Sequence, residues 1–110
     1  MMWKAVFHID EMEKWDLLLG NISNFLNGLH DDYLLHVVIN AAAVSALLDE
    51  AYQEKIAGLV QQQVCFDCCQ IALQGNGIDA SCLPQGVHIV PSGIQRLIEL
   101  QQQGFAYIKP

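Results

Sequence analysis

The side chains best suited to covalent chemistry in this 110-residue sequence are four thiols, Cys65, Cys68, Cys69 and Cys82. Cys69 stands where a β-rich run, VCFDCC at 64–69, hands over to a short helical period at 70–74. Free backbone N–H groups and the positive end of a helix dipole favour a thiolate at such a junction. An unperturbed thiol is only about 3% ionised at neutral pH, so reactivity needs help of that kind. Asp67 works against it: two residues back on a strand, it shares a face with Cys69 at a spacing of roughly 7 Å, and a carboxylate opposes ionisation of a neighbouring thiol. The reactive reading requires the helix terminus to outweigh that charge, or Asp67 to be paired. The other reading is a buried structural cysteine, since free Cys is among the most buried residue types.

The remaining candidates are weaker. Cys65 and Cys68 form a C-x-x-C, but inside a strand their side chains point to opposite faces, unlike a redox pair at a helix start. A bridge between the adjacent Cys68 and Cys69 strains the backbone. Zinc would have to be held by Cys65 or Cys68 with Cys82 and His88, without a second spaced pair of ligands, so no metal is expected. Cys82 reads as a loop thiol. His8 reads as a proton relay, an orienting donor or the base for Cys69, or else as a satisfied histidine at a strand end. His36, in mid-strand, reads as a core or interface histidine. Ser92 reads as a helix cap before a nucleophile, because no G-x-S-x-G elbow surrounds it. No P-loop is present, and Gly75-Asn76-Gly77 is too short for a dinucleotide fingerprint, so no cofactor is called for.

The elements that must position these groups alternate. Strands are expected at 4–9 (KAVFHI), 34–39 (LLHVVI), 64–69, 87–90 (VHIV) and 105–108. Helices are expected between them. Asp10 and Glu13 have capping-box spacing, ahead of an apolar face of Trp15, Leu18, Leu19, Ile22, Phe25, Leu26 and Leu29. Gly28 with His30, Asp31 and Asp32 ends that helix. Asn40 is a candidate cap for a second helical stretch, running to Val60 with a break near 49–53. Pro91, Ser92 and Gly93 open a last helix, with Ile94, Leu97, Ile98 and Gln101 along one side and Gly104 as its stop. Strands separated by helices need right-handed crossovers. The predicted fold is therefore a single α/β domain, a three-layer α/β/α arrangement with a mostly parallel five-stranded sheet. In such sheets sites gather beyond the carboxyl ends of the strands. Those ends carry His8 and Asp10, then Asn40, then Cys68 and Cys69, then Pro91, Ser92 and Gly93.

Composition bounds the partners. The formal charge is −7, and the five basic residues are scattered. No basic stripe exists to neutralise phosphates, so neither nucleic acid nor an anionic membrane is an expected partner. No targeting segment is visible, and the weakly polar stretch at 34–48 is shorter than the roughly 20 apolar residues of a membrane span. A cytoplasmic setting with reduced thiols is expected. At 53% hydrophobic and 15% charged, the chain has few charges to cover its surface, which points to a homo-oligomer.

Taken in order, FHIDE at 7–11, LGNI at 19–22, the segment 64–73, GVHIVPSG at 86–93 and GFAYIKP at 104–110 resemble the DsrE/DsrF-like family, in its small stand-alone branch. The resemblance covers nearly the whole chain. It implies a parallel five-stranded sheet and assembly into trimers or hexamers. In sulfur-relay members, a cysteine at the end of the third strand carries a persulfide between a donor and an acceptor protein. Cys69 matches that position, and His8, Asn40 and the Pro91-Ser92-Gly93 turn fall where relatives line the pocket. The chain departs from the pattern in Cys65, Cys68 and the pair Gln70-Ile71. The expectation is a sulfur carrier without a cofactor, rather than a turnover enzyme. The alternative is a non-catalytic subunit that binds a small ligand or serves as a scaffold.

Overall fold

The computed structural model describes residues 1–28 and 31–110. Five strands form one sheet: β1 (Trp3–Ile9), β2 (Tyr33–Ile39), β3 (Val64–Cys69), β4 (Val87–Val90) and β5 (Ala106–Ile108). Their order is β4-β3-β2-β1-β5. Every pairing is parallel, so the sheet is fully rather than mostly parallel. The helices are α1 (Trp15–Asn27), α2 (Glu50–Gln61), α3 (Gln70–Gly75) and α4 (Gly93–Gln102), with a 3-10 helix at Ala41–Leu48 before α2.

The two sheet faces are packed unequally. On one, Phe7, Ile9, Leu35, Val37, Ile39, Phe66 and Cys68 meet Trp15, Leu18 and Ile22 of α1, Ile56 of α2, and Val44 and Leu47 of the 3-10 helix in a large core. On the other, Val6 and Val38 meet Leu97 and Leu100 of α4 and Phe105 in a small cluster. Among the described residues, α4 is the only helix in that smaller cluster. Burying apolar surface stabilises at roughly 25 cal/mol per Å², so most of the hydrophobic stabilisation lies on the α1/α2 side.

The local expectations meet mixed outcomes. The apolar face of α1 is buried at Trp15, Leu18, Leu19 and Ile22, while Leu29 and the His30 end of that helix lie outside the described residues. The Asp10–Glu13 capping box does not form: a short 3-10 turn (Met12–Lys14) precedes α1, with no side-chain cap, because the Asp10 carboxylate takes Lys109 instead. Asn40 does not cap the helix that follows it. The break expected near 49–53 is Asp49, whose carboxylate accepts from the Ala51 N–H and starts α2. Ser92 caps α4 by accepting from the Gln95 N–H at 3.2 Å, and Gly104, at φ 92°, ends it. The expected face of α4 is out of phase: Leu97 and Leu100 point inward, while Ile94 is 60% exposed and Ile98 51%. No helix among the described residues is long and apolar enough to cross a membrane.

Candidate functional site

Parallel strands deliver their carboxyl ends to one edge, and four of the expected groups meet there. His8, Asp10, Asn40 and Cys69 share a cavity of about 350 Å³ with Ala41, Ile71, Ala72 and Ile94. His8 and Asp10 come from the end of β1, Asn40 from the end of β2, and Cys69 from the end of β3. Cys69 is the N-cap residue of α3, the junction its sequence context indicates. It is only 6% exposed and packs with the large core, yet it is one of the residues that line the cavity.

The other four expected residues are arranged elsewhere. Cys68 points to the opposite face, is fully buried in the large core, and burial pushes its thiol up to about 12. It is not part of the pocket, because consecutive strand residues alternate faces. Pro91 and Ser92 line an adjoining cavity of about 450 Å³ with His36, Cys65, Asp67, His88, Gln95, Arg96 and Glu99. Gly93 sits between the two: a Cβ built on it lies 1.8 Å from Asn40 Oδ1, so only glycine lets α4 start this close to Asn40.

Asp67, the charge that opposed a reactive Cys69, is paired. Its Oδ2 lies 2.7 Å from His36 Nδ1 and accepts from Arg96 Nε at 3.2 Å. Burial alone would raise this carboxyl, but the His36 and Arg96 contacts outweigh it and hold it below the ordinary range. Cys65, on the same strand face, is raised by burial and then by Asp67.

His8 makes its side-chain hydrogen bonds to Tyr107 and Asn40. Its Nδ1 lies 2.7 Å from Tyr107 Oη and its Nε2 lies 3.0 Å from Asn40 Nδ2, so both ring nitrogens are occupied by groups other than the thiol. Burial lowers the His8 pKa, against a smaller opposing effect of Asp10. Asp10 is held low first by its hydrogen bond from Lys109. Tyr107 is the participant that the sequence reading passed over. Its register with Val6 places it on the His8 face, but the pairing of β5 with β1 cannot be read from local periodicity. Ala41, Ile71 and Ile94 were missed because their apolar side chains carry no chemical signal, although each lies within two residues of an expected site residue.

Among the described residues, no three His, Cys, Asp or Glu side chains are gathered closely enough to hold a metal ion. A larger groove of about 480 Å³ between α1 and α2 is lined by Asp16, Glu54, Lys55 and Gly58. Its charged groups stand in water, away from the strand ends.

Comparison with solved structures gives close overall matches. A protein of unknown function from Methanobacterium thermoautotrophicum, MTH1491, is 32% identical, with a TM-score of 0.90, over 98% of this chain and 99% of that one. The ychN protein from E. coli is 19% identical, with a TM-score of 0.80, over 99% and 100%. A conserved protein of unknown function from Bacteroides thetaiotaomicron, BT1422, is 20% identical, with a TM-score of 0.79, over 97% and 94%. The last two likenesses speak for the fold alone. No curated protein matches. A model of the DsrE/DsrF-like family matches residues 10–110.

Proposed function

The chain belongs to the DsrE/DsrF-like family, and from that premise we propose that it is a sulfur carrier using Cys69. The observation that supports this reading is Cys69 among the residues lining a cavity at the strand ends, with His8, Asp10 and Asn40 and with Asp67 already paired. The Cys69 thiolate attacks the outer sulfur of a donor persulfide. The donor S–S bond breaks, its electron pair leaves on the donor's inner sulfur, and a new S–S bond forms on Cys69. Attack by an acceptor thiolate then releases the sulfur, with no net oxidation and no cofactor. The exposed Ile71 and Ile94 at the cavity mouth support docking of a donor or acceptor protein there, and assembly of the chain into trimers or hexamers. Four unbridged cysteines support a cytoplasmic setting.

The test is intact mass after incubation with a persulfide donor. One added sulfur is expected on the native chain and on Cys68→Ala, and none on Cys69→Ala. No gain on the native chain, or a gain that survives Cys69→Ala, rejects the carrier. The deep burial of Cys69 favours a second reading, in which the cavity holds a small ligand or the subunit is a scaffold without covalent chemistry. Retention of every measurable function by Cys69→Ala would select it.

A further inference from the structure

Ala41, one of the residues lining the Cys69 cavity, holds its backbone at φ 50°. That is the left-handed region, which a residue with a Cβ enters only at a cost in free energy. The chain is pinned on both sides of it. Before it, the Asn40 N–H donates to the Ile9 carbonyl at 2.8 Å, and the Asn40 side chain is engaged with His8. After it, the Ala43 carbonyl accepts from the indole N–H of the fully buried Trp15 at 3.0 Å. Ala41 makes the turn between these anchors, and strain of this kind persists only where its surroundings hold it.

A side chain from another element reaches the strained residue. Asn76, at the end of α3, donates from Nδ2 to the Ala72 carbonyl at 2.8 Å and to the Ala41 carbonyl at 3.3 Å. Both partners are carbonyl oxygens, so only the nitrogen end of the carboxamide can serve, and its two hydrogens suffice for both. Ala41 and Ala72 each line the cavity with Cys69. Ala41 follows β2, while Ala72 lies in α3, the helix whose N-cap is Cys69. One carboxamide outside the lining therefore ties two of its segments together.

We propose that Asn76 is a positioning residue for this cavity: by bridging Ala41 and Ala72 it holds the strained turn in place and keeps the wall closed beside Cys69. Released from Asn76, Ala41 relaxes towards the ordinary negative-φ region, and the wall opens locally without unfolding of the core. The low exposure of Cys69, 6%, then depends in part on this clamp. That sulfur enters and leaves by movement of this wall is a consequence that rests on the carrier reading; the clamp itself does not.

Timed alkylation by iodoacetamide, followed at each cysteine by peptide mass analysis, provides the test, with the exposed Cys82 as reference and the core-buried Cys68 reporting global opening. In Asn76→Ala, Cys69 is expected to label about three- to tenfold faster, the effect of one lost hydrogen bond on an opening equilibrium. Ile56→Val, a core substitution of comparable cost, is expected to quicken Cys68 and leave Cys69 unmoved. Ala41→Gly relieves the turn, so it is expected to slow Cys69 about two- to fivefold and, added to Asn76→Ala, to bring the rate back towards the native one. An unchanged Cys69 rate in folded Asn76→Ala overturns the proposal. So does a Cys69 rate that rises equally in Ile56→Val, because Asn76 would then act only through overall stability. Should Asn76→Ala fail to fold, Ala41→Gly decides: a Cys69 rate that is unchanged or faster removes the strained clamp. If the labelling behaves as stated but Cys69 takes up no sulfur, the clamp stands and the carrier reading falls.

Discussion

Asn40 shows how a single side chain can be read correctly for place and wrongly for role. Its position after β2 put it at the strand ends, and it is there, but it gives the next helix no cap, and its Nδ2 donates to His8 instead. Caps depend on the nearest few residues, whereas the competing partner lies 32 positions away in sequence. Asp10 follows the same logic with Lys109, 99 positions away. Local spacing reveals what a residue is able to do, and the fold decides which partner reaches it first. The close approach of Gly93 to Asn40 makes a testable case. Gly93→Ala forces either α4 or the carboxamide to move, at a cost of about 1–3 kcal/mol. In a double-mutant cycle read by urea unfolding, Asn40→Ala is expected to cancel most of that cost, because it removes the atom the new methyl meets. Equal and additive losses would show that the contact is not the source.

At the scale of elements, α4 depends on electrostatics more than its neighbours do. Its apolar contacts form the smaller cluster, and its Arg96 reaches the buried Asp67. Arg96→Met strands a carboxylate that keeps only His36, and a loss of about 3 kcal/mol in chemical denaturation is expected. The pH dependence has a definite sign. Asp67 titrates lower in the native chain than in the unfolded one, so its ionised form stabilises the fold above about pH 4. That contribution disappears as the pH falls through the native value. Asp67→Asn is expected to flatten the acid limb of stability against pH, and an unchanged limb would contradict the pairing. The helix itself was legible from its cap and its glycine stop, but its inward face was not. Two apolar stripes, Leu97 with Leu100 and Ile94 with Ile98, both satisfy helical spacing. Only the sheet beneath chooses between them.

For the molecule as a whole, the alternation of β-runs and helical periods was enough to give a parallel sheet, because each connection is long enough to cross over. The order β4-β3-β2-β1-β5 was not legible, and with it went the meeting of Tyr107 with His8. On the thinner α4 side, Ile94, Ile98 and Tyr107 stay exposed. Apolar exposure of this kind marks an interaction surface, and we expect static light scattering to return a trimer or hexamer. Ile94→Asp with Ile98→Asp is expected to yield folded monomers by the same measurement. A native chain that is already monomeric would remove the argument.

The four thiols sit at graded depths: Cys82 outside, Cys65 partly covered, Cys69 at a cavity wall and Cys68 sealed in the core with its proton held to about 12. Such a set is a built-in depth gauge. Roughly one Cys68 in ten thousand would be ionised at pH 8 even if reagent could reach it, so its labelling clocks rare openings of the large core. Timed alkylation followed by peptide mass analysis should label Cys82 first and Cys68 last, and the rate at Cys68 should read out conformational stability in plain buffer, without any denaturant.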